Sequence, residues 1–134
     1  MDYDADRAPD PAAWAAAPEP ERLAAVEAHH RALASPHPAV REPRVHAAIH
    51  LVVENQLASG APPEARRAMD RLVRAGLSRH EAVHAIASVV AAAAQGALSG
   101  SRFDAGAYAR ALDALTAEGG RARGTDGGAP PSRT

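Results

Sequence analysis

Two stretches of this chain each carry a pair of histidines four residues apart with a glutamate close by: His46-Ala-Ala-Ile-His50-Leu-Val-Val-Glu54 and His80-Glu81-Ala-Val-His84. On an α-helix, residues four apart lie about 40° apart around the axis, so each pair projects from one face, one turn apart. Two such pairs facing each other would offer four imidazoles, the donors of a zinc site or, with carboxylates added, of an iron or manganese pair. Neither pair reads as a solvated face. Ile49, Val53 and Leu57 fall within about 60° of His46, and Leu77, Val83, Ala87, Ala91 and Leu98 share the side of His80 and His84. Burying four unpartnered imidazoles would be costly, so His46, His50, His80 and His84 are read as primary metal ligands.

The carboxylates follow the histidines. Glu27 lies about 60° from His30, Glu54 about 40° beyond His50 and Glu81 about 60° beyond His84, all displaced to the same side. Glu27 to His30 and Glu81 to His84 are both Glu-x-x-His, the spacing with which di-iron and di-manganese bundles present ligands. His30 shares its face with Leu23, Val26 and Leu33, which makes it the inward candidate, and Glu27 with His30 extends the set toward a second metal. His29, at the edge of that face, and His37 read as surface residues. Glu54 and Glu81 are candidate ligands or, beside an open coordination position, bases for a metal-bound water. Each also has a plainer use. Ser78-Arg79-His80-Glu81 is a capping box, in which Glu81 reaches back to the Ser78 amide, and Glu54 has arginines such as Arg79 to pair with. The cap sets His80 in a first helical turn, where the helix dipole keeps the ring neutral and able to ligate. Asn55 and Gln56, beside the apolar stripe, are candidate donors for orienting a ligand.

His80-Glu81-Ala-Val-His84 is formally the H-E-x-x-H of zinc proteases. Such an enzyme also needs a strand edge for its extended substrate, and no strand signal is present. The chemistry then divides three ways: hydrolysis on zinc with an open position, redox work on iron or manganese, or a closed four-histidine structural zinc site. The donors suffice for one or two transition-metal ions per chain. A reading from another class is a non-catalytic interaction protein, dimerising to complete its core, whose histidines are buried polar residues or a pH sensor. Haem lacks the aromatics and large aliphatics to line its pocket.

Positioning these side chains falls to about five helices. Pro18 and Pro20 open the first, which runs to Ser35-Pro36, and a loop with Pro36, Pro38 and Pro43 follows. The second starts near Pro43 and ends at Ser59-Gly60. The third covers Glu64 to Ala75 with Gly76 as its left-handed cap, and the fourth runs from Ser78 to about Leu98. The fifth, from Phe103 to Ala117, carries Phe103, Tyr108, Leu112 and Leu115 on one side. Short helices with short connections predict an all-α, small antiparallel bundle. The expected division is a disordered segment at 1–18, a helical metal-binding domain at 19–117 and a disordered tail at 118–134.

Composition bounds the rest. Of 134 residues 46% are hydrophobic, but alanine dominates that class and aromatics are 3%, so the core is thin and a metal or a second subunit would help it fold. Absence of cysteine excludes thiolate ligands and iron–sulfur clusters, leaving nitrogen and oxygen donors. A net charge of -1 gives no general attraction to nucleic acid or anionic membrane. The acidic, proline-rich start has no export signal, and the run from Ala85 to Leu98 reads as too short and alanine-rich to span a bilayer, so the expected location is cytoplasmic.

The linked segments His46-x3-His50-x3-Glu54-x-Gln56 and Arg79-His80-Glu81-x2-His84, joined by the Pro62-Pro63 helix, resemble a family of small bacterial helical proteins classed as a domain of unknown function. The resemblance runs from Val45 to Tyr108, more loosely through Ala94-Gln95-Gly96 and Phe103-Asp104. It implies an all-helical fold with these histidines as shared features, and no particular reaction. The order of ligands departs from ferritin-like proteins, which alternate a lone Glu with Glu-x-x-His.

Overall fold

A computed structural model describes residues 1–32 and 43–119, and among these the secondary structure is helical, with no strand. Leu33, Ser35-Pro36, His37 and the proline loop, like the tail from residue 120, lie outside the described residues.

The helices are α1 (Pro11–Ala16), α2 (Glu19–Ala32), α3 (Pro43–Ser59), α4 (Pro63–Arg74), α5 (Arg79–Leu98) and α6 (Ala105–Asp113). Their ends follow local chemistry. Pro63 sits in the first turn of α4, where its missing N–H costs nothing, and Ala65, Ala68, Met69 and Leu72 recur at helical spacing on its buried side. Gly76, at φ 109°, turns the chain out of that helix, and the Leu77 N–H donates to the Leu72 carbonyl, as in a Schellman closure. Two residues later the capping box of α5 forms as expected: the Ser78 hydroxyl accepts from the Glu81 N–H, and the Glu81 carboxylate accepts from the Ser78 N–H. The turn between α4 and α5 is thus closed from both sides.

α5 is the central helix. It packs against α3, α4 and α6, and α3 in turn contacts α1, α2 and α4. Val83, Ile86 and Val89 of α5 meet Val53 and Leu57 of α3, Met69 and Leu72 of α4, and Leu112 of α6 in one apolar core. A second, smaller core gathers Trp14, Val26, Ala47 and Leu51, with Tyr3 and Leu23 packed against it. By length and composition α5 is apolar enough to cross a membrane, which revises the expectation drawn from residues 85–98 alone. Its buried Val83, Ile86 and Val89 give that apolarity a use within the fold.

Two further expectations differ from the structure. Residues 1–18, expected to be disordered, contain α1, for which the Asp10 side chain accepts from the Ala13 N–H and Pro11 supplies the first residue. Trp14 and Ala5 in that segment are fully buried. Proline and acid content hid a short amphipathic piece anchored by the chain's one tryptophan. The helix expected over Phe103 to Ala117 spans only Ala105–Asp113, its start set at Ala105 by Asp104, which caps it through the Ala107 N–H. Tyr108, Leu112 and Leu115 are buried as expected, whereas Phe103 is mostly exposed.

Candidate metal centre

The histidines come from three helices packed side by side. α2 supplies His29 and His30, α3 His46 and His50, and α5 His80 and His84. His50 is completely buried and the other five are half-buried. The Nε2 atoms of His30, His46, His50, His80 and His84 are all shut off from solvent.

Four of these rings form the tightest group. His30, His46, His50 and His84 each offer a ring nitrogen, all within 4.8 Å of one another. Nitrogens around a tetrahedral zinc at about 2.0–2.1 Å stand about 3.4 Å apart, so adjustments on the order of an ångström would draw these four onto one ion. The expected quartet contained His80; the structure brings His30 in its place. His80 stands one turn nearer the start of α5, with its ring centroid 4.5 Å from His84 and 5.7 Å from His50. It borders the quartet.

Ring orientation is fixed locally. His30 Nδ1 lies 2.8 Å from the Val26 carbonyl, which can only accept, so Nδ1 carries the proton and Nε2 keeps its lone pair toward the other rings. A carbonyl partner of this kind is how metal-bound histidines are commonly held. Neither ring nitrogen of His50 has a hydrogen-bond partner among the described residues. Leaving a buried polar group unsatisfied costs about 1–3 kcal/mol, and this ring has two. Burial, reinforced by His84, His30, His46 and His80, holds His50 well below the usual histidine range; burial lowers His30 as well. Both rings are therefore neutral near pH 7, the form that ligates.

The carboxylates lie elsewhere. Glu54, 1% exposed, takes a two-pronged hydrogen bond from Arg79, with both N–O distances 2.8 Å, and a further one from the Tyr3 hydroxyl. Burial and the Glu54 charge push the Tyr3 hydroxyl up, so it stays protonated and donates. Glu81 is exposed and occupied as the α5 cap, and Glu27 makes a loose ion pair with Arg44 at 3.9 Å. None of the three belongs to the nitrogen group. Asn55 and Gln56, expected beside the ligands, instead tie helices together. The Asn55 side-chain oxygen accepts from Trp14 and Arg22, and that of Gln56 from the Tyr108 hydroxyl.

Sequence reasoning missed the segment from Tyr3 to Asp6, which lies along the edge of the cluster. Besides Tyr3 on Glu54, the Ala5 carbonyl accepts from Arg79, the Asp6 carboxylate accepts from the His80 N–H at 3.0 Å, and the Ala5 N–H points at His29 Nε2 at 3.4 Å. His29, expected at the surface, packs edge-on against Tyr3 and His30. The available signal was an aromatic and three acids near a chain end, in a sequence with four aromatics in all. A cavity of about 430 Å³ between the second half of α5 and α6, lined by Val89, Ala93, Gly96, Phe103 and Tyr108, holds none of the histidines.

The family described as Domain of unknown function (DUF1841) matches residues 12–114. The chain belongs to that family. The DUF1841 match is wider than the resemblance seen in the sequence, taking in α1 and α2 as well as the linked histidine segments, and it leaves out Tyr3 to Asp6. No curated protein and no solved structure matches the chain.

Proposed function

We propose that this DUF1841 protein binds a transition-metal ion through His30, His46, His50 and His84, with zinc the ion its donors suit best. The observation that carries the reading is His50: a fully buried, neutral ring, ringed by other imidazoles, whose two nitrogens have no hydrogen-bond partner among the described residues. A metal on one of those nitrogens offsets the cost of burying it. An all-imidazole set suits zinc and its late first-row neighbours, whereas iron and manganese pairs use carboxylates, and here Glu54 and Glu81 are engaged elsewhere and Glu27 stands outside the nitrogen group. Four nitrogens on one ion close its coordination sphere, so the singly loaded protein holds metal without activating water. Glu54, clamped by Arg79 and Tyr3, and Glu81, used as a cap, are poorly disposed to act as bases. The short connections between α3, α4 and α5 support an antiparallel bundle as the frame of this site.

The test is metal uptake by the full chain prepared without a polyhistidine tag. Zinc-free protein is expected to bind zinc at neutral pH, with His50→Ala abolishing high-affinity uptake. Equal uptake by the wild type and His50→Ala would contradict the reading.

A further inference from the structure

Six described histidines come two from each of three helices, and the quartet uses four of them. We infer that the cluster takes two metal ions, the second on His29, His30 and His80. The inference rests on the metal-binding reading and extends it to residues that reading leaves unused.

The geometry divides the rings into two triangles. Two imidazoles bound through Nε2 to one ion at about 2.0–2.1 Å have ring centroids about 4.5–5.2 Å apart at bond angles of about 90–110°. In the first triangle, His46, His50 and His84 have centroids 4.9, 5.3 and 4.8 Å apart. In the second, His29, His30 and His80 are 5.5, 5.7 and 6.0 Å apart, nearly equilateral but each wider than that range, so binding would have to draw the rings together by several tenths of an ångström. The triangles share a border, with His80 4.5 Å from His84 and His30 4.4 Å from His50. Paired ions in two-metal sites stand about 3.5–4 Å apart, a distance that adjoining triangles of this size accommodate. The Ala5 N–H contact to His29 Nε2, long at 3.4 Å, is the bond a second ion displaces.

His30 decides the loading. With Nδ1 held by Val26 it has one nitrogen to give. With one ion bound, that nitrogen completes the closed quartet; with two bound, it would count with His29 and His80 instead, leaving three ligands on each ion. Three protein ligands on each ion would leave a coordination position for a water or small anion. The ions that fit are late first-row divalent cations, which imidazole binds well.

The experiment is a titration of metal-free, untagged full chain with cobalt(II), following the visible bands of the bound ion, with zinc stoichiometry measured in parallel by elemental analysis after desalting. The wild type is expected to bind two equivalents, and the bands from the first are expected to change as the second binds, because His30 changes ion. His29→Ala should bind one equivalent with unchanged first-site affinity, and Ser78→Ala, which removes only the α5 cap, should still bind two. Should His29→Ala fail to fold by circular dichroism, His80→Gln serves, with the same loss of one equivalent expected. Saturation of the wild type at one equivalent, two equivalents in His29→Ala or in a folded His80→Gln, or one in Ser78→Ala would overturn the second site alone. No uptake at all would overturn the metal-binding reading beneath it.

Discussion

The half of the molecule where Val83, Ile86 and Val89 of α5 meet α4 and α6 is held by aliphatic side chains packed on one another, whereas the half where His80 and His84 of the same helix meet α2 and α3 is held around imidazoles. In the first, Leu72, Ile86 and Leu112 are fully buried against apolar neighbours, and nothing in the packing calls for a ligand. In the second, the apolar core is confined to Trp14, Val26, Ala47 and Leu51, and the side of α3 turned toward α5 carries His46, His50 and the buried Glu54. Hydrophobic burial stabilises the first half at any metal concentration; the second needs its polar groups satisfied. Stability should therefore be metal-independent on one side and metal-linked on the other.

The largest single-site effect should come from the buried ion pair joining the two halves. Arg79→Met leaves Glu54 charged, 1% exposed and bonded to Tyr3 alone, and breaking such a pair destabilises by about 3–5 kcal/mol, measurable by urea denaturation. Zinc at about a thousandfold above its Kd should stabilise the wild type by about 4 kcal/mol, with chelator reversing the gain and His50→Ala abolishing it. Leu72→Ala should cost about 2–5 kcal/mol, equally with and without zinc. A zinc-dependent cost there would mean that the two halves are not separable as described.

Two smaller effects complete the contrast. His50 is held well below the usual histidine range in the folded chain but takes a proton normally when unfolded, so the unfolded state binds more protons in acid. Metal-free stability should accordingly be flat above the ordinary histidine range and fall below it, by at most about 1.4 kcal/mol per pH unit per proton. In His50→Ala that acid-side loss should shrink, which a pH series of thermal melts would measure. Ser78→Ala should cost about 1 kcal/mol through the α5 cap, with metal uptake unchanged, since Glu81 caps and does not ligate.

The first half was readable from the sequence because its signals are local. Pro63, Gly76 and the Ser78–Glu81 box bound their helices at the positions where those residue types belong, and Leu72, Val83 and Leu112 follow helical spacing. The histidine face of α3 was readable for the same reason. Choosing among the histidines was not, because helical phase fixes a direction around an axis and says nothing of height along it. His80 and His84 share a face, yet the end-to-end offset of α5 brings His84 into the quartet and leaves His80 at its border. The choice of Arg79 for Glu54 could only be guessed at, and the return of Tyr3 to the same carboxylate, 51 residues away, left no trace in periodicity. The N-terminal segment was misread because its composition resembles a disordered chain while its anchors are single residues: Ala5, Asp10 and Trp14.

Metal content bears most directly on the central claim, that the imidazole-built half is completed by a transition-metal ion. Untagged protein, purified without chelator and desalted, should carry or take up at least about one equivalent of zinc or a late first-row neighbour by elemental analysis. Less than about a tenth of an equivalent, with no uptake on titration at neutral pH where His50 is uncharged, would contradict it.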